Sequence, residues 1–381
     1  MTVLEALWWT GVRAVDGRRC VADSLRVQPC DVTDIISVGK AAGAMCLGAI
    51  DSLGGPRRAL VVTKPDHAEP ELQALPELQL IEAGHPVPDA HSLEAGAAIR
   101  ARVRDAQQLL LLVSGGASAL AELLPAGVAL TDLQHSTDTL LASGLDIVAM
   151  NAQRRELSLL KGGRLLEDFS GAGVTVMAVS DVPGDDLSVI GSGIGDTARL
   201  RERRSGLAVS TRIVASNAVA RDTVAAAARE RRLPVCCNEP SLHAELGALV
   251  MHLADQLEAG PSGLYICGGE PTVVLPPEPG QGGRNQSLGL ALWAELCARA
   301  KSHRTLRIDL LVAGTDGSDG PTAAAGAQLT ASADVAPARV TAANAAVLAA
   351  DAGRFLAAED GLFVTGPTGT NVMDIALCLK H

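Results

Sequence analysis

Along the chain, a short apolar run, a glycine-rich turn and a longer Ala- and Leu-rich segment of helical period follow one another repeatedly. The apolar runs include DIISV, ALVVT, LLLLV, VTVMAV, GLYIC and IDLLVAG. They are rich in Val, Ile and Leu without polar alternation, which is typical of strands buried on both faces of a sheet. Their alternation with helices predicts an α/β fold with a mainly parallel sheet.

Length and composition indicate more than one domain. A chain of 381 residues is long for a single hydrophobic core. The composition changes near the charged, Pro-containing segment ERRLPVCCNEP, which follows a long alanine-rich helix. We therefore place a boundary close to Pro240 and predict an N-terminal domain over 1–240 and a C-terminal domain over 241–381.

Charge and aromatic content exclude some partners. The formal charge is −11 and only 2% of the residues are aromatic, so neither a basic nucleic-acid surface nor a base-stacking surface is expected. An anionic membrane is excluded on the same ground. The chain shows neither a secretory leader nor an uninterrupted apolar run of about 18 residues, and we expect a cytoplasmic protein.

Zinc is not expected, because eight cysteines and eight histidines occur without C-x-x-C or H-E-x-x-H spacing. A metal ion held by oxygen atoms remains compatible with the sequence. Asp181, at the end of the run VTVMAVS, is the best candidate for a Mg²⁺ or Ca²⁺ ligand. Asp316 and Asp319 lie in TDGSDG, which is either a tight turn alone or a turn that holds a charged group.

Two loops after strands suit anions. Lys40 follows the strand DIISV at the start of a helix, where unpaired amides and a full positive charge favour phosphate or carboxylate; a solvated lysine is the alternative. The loop SGGAS carries Ser114, Gly115, Gly116 and Ser118 and can form a nest of donors or simply a tight turn. The P-loop spacing G-x-x-x-x-G-K-[ST] occurs nowhere in the chain.

The C-terminal half offers further polar groups. Arg284 and Asn285 begin a predicted helix, and Glu270 lies on the preceding turn. The planar fork of an arginine recognises carboxylate or phosphate through two hydrogen bonds, although a lone loop arginine is often only solvated. Thr368 and Asn371 lie in TGPTGTN, which suits an oxyanion or a helix cap.

Taken in order, these motifs resemble one family. SVGKAA, SGGASAL, KGGRL, VSDVPGDD, GGEPTVV, GGRNQSL, GTDGSDGPTAAAGA and TGPTGTNVMD resemble the MOFRL-type glycerate 2-kinases over nearly the whole chain. The resemblance implies a Rossmann-like N-terminal domain, a smaller C-terminal α/β domain and an active site in the cleft between them. It also implies ATP- and Mg²⁺-dependent phosphorylation of D-glycerate to 2-phosphoglycerate.

The chain departs from the family pattern at Ala117, Glu156 and Ile194. We expect the Cβ of Ala117 to restrict a backbone that needs a positive φ.

Phosphoryl transfer asks a protein mainly for alignment and charge stabilisation. We hypothesise that Lys40 and Arg284 neutralise the glycerate carboxylate and the transferred phosphoryl group. Asp181 and Asp316 hold Mg²⁺, or one of them accepts the hydroxyl proton. The residues expected to bind nucleotide or phosphate, or to complete the site, are Ser114, Gly115, Gly116, Ser118, Gly269, Glu270, Asn285, Asp319, Thr368 and Asn371.

Two other functions remain open from the sequence. An NAD(P)H-dependent hydroxypyruvate reductase would need a clear dinucleotide fingerprint, for which GSGIGD is a poor substitute. A non-catalytic protein that binds a sugar acid or a nucleotide could use the same loops. The oligomeric state is also open, with a homodimer among the options.

Overall fold

The computed structural model describes residues 1–54, 57–133, 157–302 and 306–381. In chain order, the helices are α1 (Val3–Ala14), α2 (Gly17–Val27), α3 (Ala42–Leu53), α4 (Ala90–Asp105), α5 (Ala117–Leu120), α6 (Arg164–Glu167), α7 (Ala198–Arg203), α8 (Asn217–Glu230), α9 (Leu246–Ala259), α10 (Arg284–Ala300), α11 (Pro337–Leu348) and α12 (Ala352–Ala358). The strands are β1 (Asp34–Val38), β2 (Arg58–Thr63), β3 (Leu78–Glu82), β4 (Gln108–Val113), β5 (Gly173–Val179), β6 (Ala208–Ala215), β7 (Val235–Glu239), β8 (Gly263–Gly269), β9 (Arg307–Gly314), β10 (Gly326–Ser332), β11 (Leu362–Phe363) and β12 (Asp374–Lys380). Short 3₁₀ helices cover Pro70–Ala74, Pro183–Asp185 and Ile190–Gly193.

The chain forms two compact units, each around its own sheet. The unit called here the N-sheet unit comprises Val15–Ser216 and Gly369–Asn371. The other, the C-sheet unit, comprises Met1–Ala14, Asn217–Thr368 and Val372–His381. The predicted α/β class with two domains is confirmed.

The N-sheet unit contains a six-stranded sheet in the order β3-β2-β1-β4-β5-β6. Every neighbouring pair in it is parallel, as the buried apolar runs predict. This order reverses direction between β1 and β4, and in open α/β sheets ligands bind outside the carboxyl ends of the strands at such a point. A ligand site is therefore predicted at the loops that follow β1 and β4.

The C-sheet unit contains a second six-stranded sheet in the order β11-β10-β9-β12-β8-β7. Only β7 and β8 pair in parallel, whereas the C-terminal strand β12 lies between β8 and β9 and runs antiparallel to both. The expectation of a mainly parallel sheet is therefore wrong for this unit. An unalternating apolar run indicates that both faces of a strand are buried, and it does not fix the direction of the neighbouring strands.

Helices from both ends of the chain contribute to the C-sheet unit. Trp8 of α1 is fully buried and meets Phe363 edge to face, with ring centroids 5.1 Å apart. Gly11 of the same helix lies against Val224 of α8. Trp293 of α10 is buried and donates its indole N–H to the carbonyl of Thr330 at 2.9 Å.

The compact units divide the chain differently from the predicted boundary at 240 and 241. β7 pairs with β8, and α8 packs against both strands. The segment from 217 to 240 therefore lies with the C-sheet unit, because long-range strand pairing decides where it packs. No helix in the described ranges is both long and apolar enough to cross a bilayer.

Candidate active site

The loops that follow β1 and β4 contact each other at the point where the strand order reverses. The amide of Lys40 donates to the carbonyl of Gly115 at 2.9 Å, and the amide of Ala41 donates to Ser114 Oγ at 3.1 Å. Gly39 has φ +130°, and a Cβ there would lie 2.5 Å from the carbonyl oxygen of Ser114. Only glycine permits this close approach of the two backbones.

Side chains from three further places surround the glycines of the β4–α5 loop. A Cβ on Gly115 would lie 2.1 Å from both Asp181 Oδ2 and the amide Nδ2 of Asn371. A Cβ on Gly116, which has φ +85°, would lie 3.2 Å from Lys40 Cγ. The structure thus brings together Lys40, Asp181 and Asn371, three predicted site residues, around two predicted glycines.

The β4–α5 loop also presents backbone donors. Within the described ranges, the amides of Gly115 and Gly116 donate to no acceptor, so two donors are available to a ligand oxygen. Ser118 is half-buried in α5. Because α5 has only four residues, its dipole is short, and anion binding here depends on the loop amides and nearby cations.

The expectation for Ala117 is wrong. Ala117 is the first residue of α5 and is not among the residues with positive φ; the left-handed residue is Gly116, one position earlier. The methyl group of Ala117 is buried and lies 3.0 Å from where a Cβ on Gly191 would be, while Ile194 Cγ2 lies 3.2 Å from that point. Two departures from the family pattern thus pack around one glycine, and the third, Glu156, lies outside the described residues.

A carboxyl group already faces the first turn of α3. A Cβ on Gly43 would lie 1.7 Å from Glu69 Oε2. Burial raises the pKa of Glu69 to about 7, so this group is partly protonated at neutral pH. The start of α3 is therefore not an open anion site, and the positive charge of Lys40 is the main attraction for an anion beside it.

In the C-sheet unit, Arg284 is held by two carboxylates at the start of α10. Its Nε donates to Asp374 Oδ2 at 2.6 Å, and its Nη2 donates to Glu270 Oε1 at 2.6 Å and to Asp374 Oδ1 at 3.1 Å. Burial alone would lower the pKa of Arg284, but Asp374 and Glu270 outweigh it and raise the pKa. Nη1 donates no hydrogen bond to any described residue.

The sequence pattern does not single out Asp374, although this residue ends the motif TGPTGTNVMD. The signal available was a carboxylate at the first residue of a strand beside a glycine- and threonine-rich turn. Its partner Arg284 lies 90 residues away in sequence, so only the fold pairs them.

Asp319 caps the N-terminus of α10 from another loop. Its Oδ1 accepts from the amide of Asn285 at 3.0 Å, and its Oδ2 accepts from the amide of Gln286 at 2.8 Å. Burial, with a smaller contribution from the Asp374 carboxylate, raises the pKa of Asp319 to about 6 against the opposing effect of these amides. The second aspartate of TDGSDG therefore satisfies helix amides, as an N-cap does.

The first aspartate of TDGSDG, Asp316, lies in the turn after β9. It is buried, and its Oδ1 accepts from the amide of Ser318 at 2.9 Å. Thr368 Oγ1 donates to the carbonyl of Thr315 at 2.5 Å, next to Asp316 in the chain. A Cβ on Gly317 would lie 1.9 Å from the carbonyl oxygen of Gly366, so the TDGSDG and TGPTG loops are in close contact.

Gly269 ends β8 with φ +130°, and its side-chain position is occupied by the ring of His243. The amide of Glu270 donates to Nδ1 of that ring at 3.4 Å, and burial lowers the pKa of His243. A neutral histidine thus lies beside the Glu270–Arg284 ion pair.

No group of three His, Cys, Asp or Glu residues in the described ranges forms a metal-binding cluster. Asp181 belongs to the N-sheet unit and Asp316 to the C-sheet unit. Their joint role in holding Mg²⁺ therefore stays a prediction. Magnesium in phosphate-transfer sites is commonly bound by one or two carboxylates together with substrate phosphates and water, which requires no such cluster.

Comparisons with known proteins agree over most of the chain. The family model described as Domain of unknown function (DUF4147) matches residues 3–220, and the MOFRL family model matches residues 263–374. A D-glycerate 2-kinase of Thermotoga maritima is 32% identical over 97% of this chain and 95% of its own length. A protein of Agrobacterium vitis with a provisional hydroxypyruvate reductase name is 34% identical over 91% of this chain and 98% of its own.

The fold is also similar to a solved structure. The crystal structure of a glycerate kinase from Thermotoga maritima superimposes with a TM-score of 0.80 at 30% identity, covering 98% of this chain and 97% of that chain.

Proposed function

Since the chain belongs to the MOFRL-type glycerate 2-kinase family, we propose that it transfers the γ-phosphoryl group of ATP to the 2-hydroxyl of D-glycerate with Mg²⁺. The products are 2-phosphoglycerate and ADP. The kinase class follows from relatives that match nearly the full chain. The ATP, the Mg²⁺, the product and the cytoplasmic location are part of the proposal.

The observation that carries the proposal is the convergence of polar groups at the switch point of the N-sheet. Gly115 and Gly116 offer amides without an acceptor in the described ranges, and Lys40 approaches them from the β1–α3 loop. Backbone donors together with one cation suit phosphate oxygens. We assign the nucleotide phosphates to this loop, with Ser114 and Ser118 as hydroxyl donors.

One oxygen ligand suited to magnesium lies at the same loop. Asp181 Oδ2 approaches Gly115 from its side-chain face, beside the amide nitrogen Nδ2 of Asn371, and Mg²⁺ prefers carboxylate and carbonyl oxygens. When bound, Mg²⁺ supplies charge neutralisation for the phosphate oxygens. Asp181 would hold it, and Asp316 is the second candidate ligand.

The C-sheet unit supplies an arginine for an anionic group. Arg284 is fixed by Asp374 and Glu270 through Nε and Nη2, which leaves Nη1 to donate to the glycerate carboxylate or the transferred phosphoryl group. A fixed donor costs little reorganisation during the reaction. Either Asp316 or Asp181 accepts the hydroxyl proton, and Asn285, Thr368 and Gly269 maintain the loops that carry these groups.

The decisive experiment is a coupled assay on the purified protein with D-glycerate, ATP and Mg²⁺. Enolase and pyruvate kinase report 2-phosphoglycerate directly, provided that phosphoglycerate mutase is left out. A signal that appears only after mutase is added moves the product to 3-phosphoglycerate. No signal with or without mutase overturns the kinase proposal.

The same preparation tests the reductase, which the provisional name of the Agrobacterium vitis relative favours. Oxidation of NADH or NADPH on hydroxypyruvate, without phosphorylation of glycerate, would replace the kinase by the reductase. Binding of ATP or glycerate without turnover would leave a non-catalytic binding protein.

A further inference from the structure

His85 is a polar group at the switch point that the proposed mechanism does not use. It follows β3 in the stretch EAGHPVPD, and its ring lies over the β4–α5 loop. A Cβ on Gly116 would lie 3.2 Å from His85 Cδ2 and 3.3 Å from His85 Nε2. Lys40 Cγ lies 3.2 Å from the same position. The imidazole and the lysine side chain therefore share the space beside one glycine.

The two glycines of this loop face side chains of different character. Gly115 faces the carboxylate of Asp181, which suits a cation, with the amide nitrogen Nδ2 of Asn371 beside it. Gly116 faces Lys40 and His85, which suit an anion. All these groups belong to the N-sheet unit, and Lys40, His85 and Asp181 are half-buried, so solvent still reaches them.

We propose that His85 is a phosphate-binding residue that acts with Lys40 on the Gly116 side of the loop. Its Nε2 donates a hydrogen bond to a phosphate oxygen, next to the amide of Gly116. The inference rests on the proposed kinase function for the identity of the ligand as a nucleotide phosphate. The phosphate of a phosphorylated hydroxy acid has the same chemistry, so the experiment includes both.

The test is a binding measurement that does not depend on turnover. Isothermal titration calorimetry is performed on the full chain with ADP, inorganic pyrophosphate and 2-phosphoglycerate, for the unmutated protein and for His85→Gln. A hydrogen bond to a charged group is worth about ten- to hundredfold in affinity. We expect His85→Gln to weaken the binding of ADP and pyrophosphate by that factor. If only the binding of 2-phosphoglycerate is weakened, the assignment of the site to the nucleotide is overturned.

The matched control is His91→Gln. His91 is an exposed histidine in α4, six positions further along, beside Asp89. Its replacement leaves all three affinities unchanged. Binding of ADP and pyrophosphate by His85→Gln within twofold of the unmutated protein would overturn the proposal, as would failure of the unmutated protein to bind either ligand.

The binding test and the kinase assay fail separately. Pyrophosphate binding that depends on His85, in a protein that does not phosphorylate glycerate, supports the site and removes the kinase. If the unmutated protein phosphorylates glycerate while His85→Gln binds ADP as tightly as the unmutated protein, the kinase proposal is supported and the His85 site is overturned. Should this variant not fold, the ring nitrogens of the unmutated protein are followed by nuclear magnetic resonance, and pyrophosphate that shifts none of them overturns the proposal.

Discussion

At the scale of single residues, the two aspartates of TDGSDG have different roles. Asp316 is the proposed ligand or proton acceptor, and Asp316→Asn preserves its size and an oxygen that can accept from Ser318. We expect kcat for glycerate phosphorylation to fall by about 100-fold or more, because the amide has no negative charge to hold Mg²⁺ or to accept the hydroxyl proton. Asp334→Asn, at an exposed position after β10, is the control. Asp316→Asn with kcat within threefold of the unmutated protein would contradict this role.

Asp319 makes the stability of the C-sheet unit depend on pH. Burial raises its pKa from 3.8 to about 6, so the folded state binds a proton more tightly than the unfolded state. The stability that this group contributes is full below pH 4 and is lost as the pH rises through 6. Between pH 4.5 and 7.5, the free energy of unfolding of the unmutated protein should therefore fall by about 2 kcal/mol relative to that of Asp319→Asn.

Urea unfolding followed by tryptophan fluorescence measures this difference. The three tryptophans, Trp8, Trp9 and Trp293, all belong to the C-sheet unit, so the signal reports on the unit that contains Asp319. Asp334→Asn should keep the same difference from the unmutated protein at both pH values. If the free energies of unfolding of Asp319→Asn and the unmutated protein differ by the same amount at both pH values, the pKa of Asp319 is not raised.

At the scale of elements, the glycine turns decide whether loops can approach each other. Gly39→Ala should strongly destabilise the N-sheet unit, by about 3 kcal/mol or more, because φ is +130° and the new Cβ would meet the backbone of Ser114. Gly54→Ala is the control, since Gly54 has φ +73° and, among the described residues other than its chain neighbours, no atom lies within 4 Å of its side-chain position. It should cost only about 1 kcal/mol. Thermal unfolding followed by circular dichroism compares them, and equal costs would contradict the close approach.

The sequence predicts most elements of the site but not their pairing. The glycine and lysine that follow a buried apolar run predict the start of α3, and the glycine-proline loop before Arg284 predicts the start of α10. Which loops touch depends on the order of strands in the sheet, and that order is a long-range property. Asp374 and Arg284 illustrate the limit, because each lies in a quoted motif while their ion pair requires β12 to insert between β8 and β9.

At the scale of the whole molecule, composition located the predicted boundary where the polarity of the chain changes. The compact units follow contacts instead, so α1, at the very start of the chain, belongs with the C-terminal strands. A change in local polarity carries no information about which distant surface a helix covers. The α/β class was predictable because a strand buried on both faces has an unalternating apolar sequence. The sequence of α1 contains no comparable signal for the unit in which the helix packs.

The place of α1 in the C-sheet unit leads to a prediction about Trp8. Trp8→Ala removes a fully buried side chain packed on Phe363 and should cost the C-sheet unit about 3–5 kcal/mol. Hydrogen exchange followed by mass spectrometry should show faster exchange in β8, β9 and β12, while β1, β2 and β4 keep their protection. Trp9→Ala is the control, since Trp9 is only half-buried and should cost less. Faster exchange confined to the N-sheet, or none in either sheet, would contradict the place of α1 in the C-sheet unit.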